Sequence, residues 1–229
     1  IGRLAVAGTV NDIAVMGAKP TALSCGFVLE EGLPITDFEK ILGSMKQTCK
    51  EAGIYIITGD TKVVEKGNLG GCIINTSGIG KRNEALEKNI AEVKKHRSFN
   101  GRWILDSNLR EGDKIIVSGT VGDHGLAVLS AQEGYDFGSQ IKSDVTPLNK
   151  LVIRLMNVGG IVAMKDPTRG GLSNALNEWS EKSKVGILVQ EDRIPIREDV
   201  KAACEMLGID PLEVGNEGKI LIGVVHEKA

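Results

Sequence analysis

The apolar positions of the first half predict helix, strand, helix and strand in turn. Residues 1 to 18 are small and apolar on nearly every side, which is typical of a buried helix. Lys19-Pro20 ends that helix, and residues 21 to 29 form a strand candidate. Thr36-x-x-Glu39 has the pattern of a capping box that begins the next helix, and apolar side chains then recur at helical spacing as far as Gly53.

A glycine-rich tract and a charged stretch come next. Residues 67 to 71 turn the chain into a strand at 72 to 79, as in a hairpin-like return. Residues 81 to 102 combine dense charge with a single apolar stripe, which predicts an exposed helix followed by a linker. We expect the domain boundary in this stretch.

The second half mixes strands and helices without a long, simple alternation. The predicted strands cover residues 114 to 118, 161 to 164, 185 to 190 and 220 to 225. The predicted helices cover residues 126 to 131, 148 to 156, 172 to 179 and 198 to 207. This pattern predicts an α+β fold with an N-terminal domain over residues 1 to 100 and a C-terminal domain over residues 101 to 229.

Charge and composition exclude several classes of partner. The 28 basic and 30 acidic residues leave a net charge of −2, so binding to nucleic acid or to an anionic membrane is not expected. No signal peptide and no apolar run near the ~20 residues of a membrane helix is visible, which favours a cytoplasmic protein. The cysteines are scattered without paired spacing, as is typical of reduced, buried thiols: Cys25, Cys49, Cys72 and Cys204.

The two ends of the chain indicate a piece of a longer protein. Ile1-Gly2 opens the chain without a methionine, and the chain stops directly after a strand-like run. We therefore expect further residues in the natural protein.

Four short segments carry candidate chemistry, and the first follows the apolar run 54 to 57. Gly59 permits close backbone approach, Asp60 offers hard oxygen ligands for magnesium, and Lys62 offers a point charge for phosphate oxygens. A strand that runs into such a loop suits polyphosphate chemistry. A surface turn with alternating charges is the alternative.

The second and third segments also point to cations and anions. Asp12 lies in the apolar first helix next to Asn11, so it is either a cation ligand or a satisfied core acid. Asp166-Pro167-Thr168-Arg169-Gly170-Gly171 joins a strand to a helix, where free N–H groups and Arg169 suit an anion. The alternative for that junction is a helix cap made by Asp166 or Thr168.

The fourth segment, Asn216-Glu217-Gly218-Lys219, precedes the last strand. Glu217 on such a turn could act as a general base, and a plain β-turn is the alternative. Gly122-Asp123-His124-Gly125 also joins a strand to a helix. His124 is a candidate phosphate donor or proton shuttle there, although a structural loop is favoured.

Together these segments resemble the HypE family of hydrogenase maturation factors, and the likeness spans nearly all of residues 1 to 80 and 103 to 226. The combination of Gly59-Asp60-Thr61-Lys62 with the segments that contain His124 and Glu217 is more specific to this family than to its relatives. Those relatives are the ATP-using aminoimidazole ribonucleotide synthetase, selenophosphate synthetase and thiamine monophosphate kinase. The resemblance implies a two-domain aminoimidazole ribonucleotide synthetase-like fold, whose N-terminal domain forms a β-barrel shared in a homodimer, with Mg-ATP (ATP and Mg²⁺) between the domains.

The resemblance also implies the activity and its partners. HypE-like proteins dehydrate a carbamoyl group carried as a thiocarboxamide on their own C-terminal cysteine, and the thiocyanate product supplies cyanide to the iron of [NiFe] hydrogenase. The implied partners are the carbamoyltransferase HypF and the HypC–HypD complex as cyanide acceptor. The family's upstream glycine-rich segment and its cysteine-bearing tail match nothing in these 229 residues. Another ATP-dependent enzyme of the superfamily and a non-catalytic maturation scaffold are the alternatives.

On this resemblance, the site residues take specific roles. Asp12 and Asp60 would hold magnesium and phosphate, Lys62 would offset phosphate charge, and Glu217 would take protons from the carbamoyl nitrogen. The expected nucleotide-binding residues are Asn11, Asp12, Gly59, Asp60, Thr61, Lys62, Asp166, Arg169 and Gly170.

Overall fold

The N-terminal half contains two helices and a three-stranded sheet. The computed structural model describes residues 1–135 and 141–229. Its first elements are α1 (Gly2–Val15), β1 (Lys19–Glu30), α2 (Ile35–Ala52), β2 (Tyr55–Val64) and β3 (Cys72–Lys81). The order that the apolar pattern predicted is therefore confirmed.

The sheet has β1 at its centre, with β2 parallel and β3 antiparallel to it. The predicted hairpin-like return is therefore wrong, because β2 and β3 lie on opposite sides of β1. The Glu30 carboxylate at the end of β1 accepts N–H bonds from Gly67, Leu69 and Gly71, and so holds the crossing loop in place. The sheet is open, and the barrel expected for a dimer stays a prediction.

Two local predictions for this half are wrong. The helix α2 begins at Ile35 after Pro34, and within the described residues no side chain caps it, so Thr36 lies inside the first turn and makes no capping box. Gly59 and Asp60 lie within β2 rather than in a loop. Pairing with β1 as far as Glu30 keeps that backbone extended.

The C-terminal half is built around a second antiparallel sheet. Its helices and strands are α3 (Glu84–His96), β4 (Lys114–Val117), α4 (Asp123–Glu133), α5 (Asn149–Val158), β5 (Ile161–Lys165), α6 (Gly171–Ser183), α7 (Glu198–Leu207) and β6 (Leu221–Val224). Short 3-10 turns cover Asp106–Asn108, Glu191–Arg193, Pro211–Glu213 and His226–Lys228. The strand β6 lies between β4 and β5. The mixture of helices and antiparallel strands confirms the α+β prediction.

The charged stretch after β3 differs from its prediction. A helix is present, but its apolar stripe is buried in the core of the C-terminal half, together with α5 and β5. The side chain of Asn89 adds two hydrogen bonds to the backbone of Ile161, at 2.7 and 2.8 Å. The helix α3 therefore packs its apolar stripe into the core, and only its charged face is exposed as predicted. The domain division at residue 100 stays a prediction.

The predicted strand at 185 to 190 is also wrong. The structure has no regular element there among the described residues, and Leu188 is 92% exposed. An apolar run forms a strand only where a neighbouring strand satisfies its backbone, and β4, β6 and β5 complete their sheet without it.

The first helix joins the two halves. Val6 and Val10 of α1 pack in a cluster with β1 and α2, whereas Ala14 belongs to the larger core around α3, α5 and the second sheet. No helix in the described parts of the chain is long and apolar enough to cross a membrane. The helix α1 therefore carries Asn11 and Asp12 to the place where the two halves meet.

Candidate functional site

Glu217 lies on the turn before β6 and faces α1. Its Oε2 atom is 4.0 Å from the position that a Cβ atom would take at Gly8 of α1. Burial raises the pKa of Glu217 to about 7, and the negative charges of Asp166, Asp144 and Asp12 add to that effect. A glutamate with such a pKa can accept a proton near neutral pH.

Asp166 is buried at the end of β5. Burial raises its pKa to about 6, and the charge of Asp12 acts in the same direction. Within the described residues, the helix α6 that follows has Gly170 as its N-cap and no side-chain cap bond. The alternative that Asp166 or Thr168 caps this helix is therefore wrong.

Asp12 and Arg169 are two further charged residues of this site. Asp12 keeps contact with solvent, but partial burial raises its pKa, whereas Arg169 and Lys165 lower it. Arg169 is exposed and makes no side-chain hydrogen bond or ion pair within the described part of the chain. It is therefore a cation that an anionic ligand can reach beside the start of α6.

The structure thus brings together three of the predicted segments. Asp12, Asp166 and Glu217 repel one another, and a divalent cation would relieve that repulsion. Within residues 1–135 and 141–229, however, no three His, Cys, Asp or Glu side chains form a ready metal site. The carboxylates of Asp12 and Asp166 are nevertheless a ligand set of the size that suits Mg²⁺. This ion is usually held through one or two carboxylates, with substrate phosphates and water as its other ligands.

Asn11, for which a nucleotide-binding role stays a prediction, lies in the core beside the site. It is fully buried, and its Nδ2 donates to the carbonyl oxygens of Thr146 (3.1 Å) and Glu217 (3.3 Å). Its Oδ1 accepts the Leu148 N–H at 2.7 Å. These bonds occupy the amide with backbone partners, so in this structure Asn11 supports the site from within the core.

The first predicted segment, Gly59-Asp60-Thr61-Lys62, lies apart from this cluster. The helix α1 packs on β3, where the hydroxyls of Thr9 and Thr76 are 2.7 Å apart, whereas Asp60 is on β2 at the opposite edge of the sheet. Gly59, Asp60 and Thr61 line a cavity of about 930 Å³ between β2 and α2. A metal ion shared by Asp12 and Asp60 therefore stays a prediction.

The close approach expected at Gly59 is present. A Cβ atom there would collide with the carbonyl oxygen of Cys25 on the neighbouring strand. Lys62 follows on the same exposed strand. The glycine is therefore explained by strand packing, whether or not a ligand binds beside it.

His124 is the second residue of α4. Its Nδ1 is 2.8 Å from the Ser143 hydroxyl, and burial lowers its pKa while Asp144 acts in the opposite direction. Gly122, at φ 92°, is the N-cap of α4, and its N–H donates to Asn216 at 2.8 Å. These bonds favour the structural interpretation of this segment.

Asp144 is the functional candidate that the sequence patterns missed. Its carboxylate accepts the Glu217 N–H at 3.0 Å and lies 3.1 Å from Lys219 Nζ. It stands in an irregular segment with no periodic pattern. Its only local signal is the group Ser143, Asp144 and Thr146 just before α5. That signal is typical of many helix starts and points to no particular chemistry.

Comparisons with known proteins identify the family of this chain. The family model for the N-terminal domain of AIR synthase related proteins matches residues 1–81, and that for the C-terminal domain matches residues 110–229. Carbamoyl dehydratase HypE of Rhizobium leguminosarum is 46% identical over 231 residues, covering 100% of this chain and 61% of that protein. The chain thus spans about three fifths of the length of the curated relatives it matches.

Solved structures give the same result. A HypE structure in complex with ATP has a TM-score of 0.90 at 42% identity and covers 100% of this chain and 64% of that one. A HypE–HypF complex has a TM-score of 0.90 at 46% identity, with coverage of 100% and 70%. The chain belongs to the AIR synthase related protein family and, within it, to the HypE proteins.

Proposed function

We propose that this chain carries the ATP-dependent dehydration of a carbamoyl group bound as a thiocarboxamide to the C-terminal cysteine of the full-length protein. Transfer of the γ-phosphoryl group of ATP to the amide oxygen makes that oxygen a leaving group. Loss of phosphate and of two protons from nitrogen then converts the S–C(=O)–NH₂ group to S–C≡N. ATP becomes ADP, and the amide oxygen leaves within the phosphate.

The observation that carries the proposal is the environment of Glu217. Its carboxylate lies half-buried between α1 and the C-terminal half, and its pKa of about 7 lets it take up and release a proton at neutral pH. Nitrile formation requires a base at the nitrogen while phosphate leaves. A plain β-turn needs no carboxylate in such an unfavourable place.

The acidic cluster and Arg169 support binding of Mg-ATP. Asp12, with Asp166 behind it, supplies the carboxylate oxygens that a magnesium ion would use, and the ion would neutralise phosphate charge during transfer. Arg169 would contact phosphate oxygens at the start of α6. Gly170, at φ 70°, lets the backbone turn there.

The cavity beside β2 supports a second part of the nucleotide site. At about 930 Å³ it is large enough for a nucleotide, and Lys46 and Lys50 of α2 line it together with Gly59, Asp60 and Thr61. Asp60, which lines the cavity, would hold the metal, and Lys62, two residues further along β2, would offset phosphate charge. The four cysteines of the chain are free thiols, which supports a cytoplasmic location.

The proposal includes a homodimer built on the N-terminal sheet. Tyr55, Ala22 and Ile79 are in register on neighbouring strands, and Tyr55 and Ile79 are 77% and 63% exposed. A second copy would cover this apolar row. The carbamoyltransferase HypF is the proposed donor, since a relative forms a HypE–HypF complex, and the HypC–HypD complex is the proposed acceptor of cyanide.

The test is the intact mass of the full-length protein after incubation with a carbamoyl donor, its carbamoyltransferase and ATP. We expect the mass of one carbamoyl group to appear and then the mass of one water to be lost, only with ATP. Asp12→Asn should abolish ATP turnover, and Glu217→Gln should leave the carbamoylated form unconverted. Normal activity in either variant would exclude the role assigned to that residue.

Two other outcomes would replace the proposal. ATP turnover without carbamoylation would indicate another ATP-dependent enzyme of the family. If neither carbamoylation nor ATP turnover occurs, the result would indicate a non-catalytic maturation scaffold.

A further inference from the structure

The peptide of Glu217 is held on both sides. Its N–H donates to Asp144 Oδ1 at 3.0 Å, and its carbonyl oxygen accepts a bond from Asn11 Nδ2 at 3.3 Å. Asn11 belongs to α1 and Asp144 to the segment before α5, so the two bonds come from different elements. The orientation of the Glu217 side chain therefore depends on both contacts.

Asp144 contacts three successive residues of this turn. Besides the Glu217 N–H, its Oδ2 lies 3.1 Å from Lys219 Nζ, and a Cβ atom at Gly218 would collide with the Asp144 carbonyl oxygen. The Asp144 side chain is only 5% exposed. The turn and Asp144 therefore fit together closely.

The segment that carries Asp144 is itself held by α1. Arg3 Nε donates to the Val145 carbonyl at 2.8 Å and Asn11 donates to the Thr146 carbonyl at 3.1 Å. On the other side, Ser143 is bonded to His124. The segment is thus held by hydrogen bonds between α1 and the Glu217 turn.

We propose that Asp144 is the positioning residue for Glu217: its carboxylate, held by Lys219, fixes the glutamate peptide so that the side chain points toward α1 and the reacting nitrogen. This inference rests on the proposed function. Asp144 acts here through the bond that its Oδ1 accepts, and the geometry of that acceptor matters more than its charge. Lys219 has a second acidic neighbour, Asp123, at 3.9 Å, so it keeps a partner when Asp144 is neutral.

The test compares Asp144→Ala with Asp144→Asn in the full-length protein. Asparagine keeps an oxygen acceptor for the Glu217 N–H, whereas alanine removes it. We expect the alanine variant to dehydrate the carbamoylated protein about 10- to 100-fold more slowly, as for a misplaced catalytic group. Carbamoyl attachment and the KM for ATP should stay within about threefold of wild type, and asparagine should recover most of the rate.

Asp113 provides a matched control. It is similarly buried, with 7% side-chain exposure, pairs with Arg97 at 2.8 Å and accepts a backbone N–H from Arg110 at 2.8 Å. Asp113→Ala therefore loses the same kinds of interaction away from Glu217. It should lower the unfolding temperature as Asp144→Ala does but leave the dehydration rate unchanged.

Three results would overturn the inference. A wild-type dehydration rate in Asp144→Ala is one, and equal slow rates in the alanine and asparagine variants is another. If Asp144→Ala does not fold, Asp144→Glu replaces it, because it keeps the charge but moves the acceptor. The inference requires asparagine to be faster than glutamate, and the reverse order would refute it.

Glu217→Gln separates this inference from the proposed function. A normal dehydration rate in Glu217→Gln would refute the assignment of Glu217 as base, and with it any positioning of that base. An inactive Glu217→Gln together with a fully active Asp144→Ala would refute only the role of Asp144.

Discussion

Replacing Glu217 by glutamine should stabilise the protein while it removes activity. An acid whose pKa is higher in the folded chain than in the unfolded chain binds more protons when folded, so its free energy of unfolding falls as pH rises between the two values. For Glu217 these values are about 7 and 4.5. Wild type should therefore lose stability between pH 4.5 and 7, and Glu217→Gln should lack that loss.

The size of the effect follows from the same values. One unit of difference in pKa corresponds to ~1.4 kcal/mol. The difference between 4.5 and about 7 therefore gives an upper bound of ~3 kcal/mol above pH 7, and solvent screening of this half-buried carboxylate reduces the effect. Near pH 4.5 the two proteins should differ by only ~0.4 kcal/mol, because the glutamate is then protonated in the folded chain and half protonated in the unfolded chain. The difference should grow across this window and stay constant at higher pH.

The assay is urea unfolding of both proteins at pH 5, 6, 7 and 8, with the free energy of unfolding compared at each pH. Glu213→Gln is the control, since Glu213 is exposed on the 3-10 turn that precedes the Glu217 segment. It should change stability little and equally at every pH. Two results would refute a buried, unfavourable carboxylate as the cause of the stability difference. One is a free energy of unfolding at pH 8 that is no higher in Glu217→Gln than in wild type, and the other is an equal increase at pH 5 and pH 8.

Three further predictions can be tested separately. The dehydration rate should rise with pH through about 7 as Glu217 loses its proton, and a flat pH profile would contradict its role as base. In thermal unfolding, Gly59→Ala should destabilise the fold by ~2 kcal/mol or more, because the new Cβ atom collides with the Cys25 carbonyl oxygen. The control Gly43→Ala lies in the middle of α2 with open space around it and should stabilise the fold by ~1 kcal/mol. Asn11→Ala should cost ~2–4 kcal/mol in urea unfolding, because it leaves buried backbone groups unpaired; a loss below ~1 kcal/mol would contradict this.

The sequence determined most helices and strands because their signals are local. The apolar repeat that ends at Gly53 predicted α2, and Gly53 has the left-handed conformation, at φ 72°, of a helix C-cap. The segment 198 to 207 was predicted with the observed bounds of α7. Side-chain periodicity and the special conformations of glycine and proline act over a few residues, so they can be read from the chain.

Strand partners and burial were not readable in this way. The strand β2 pairs with β1 rather than with β3, and the predicted strand at 185 to 190 has no regular structure. The helix α3 was expected to be exposed, and its apolar stripe is instead buried in the core while its charged face stays exposed. Each outcome depends on which distant segment satisfies a backbone or covers an apolar face, and local composition carries little of that information.

The candidate site shows the same division. Asp12, Asp166 and Glu217 were chosen from the sequence because a carboxylate in an apolar helix, at a strand end or on a glycine turn is chemically informative. Their mutual repulsion, the occupation of Asn11 by backbone groups and the part of Asp144 were decided by the tertiary structure alone. The physical reason is that pKa and orientation depend on burial and on neighbours more than 70 residues away in the chain, which only folding brings together.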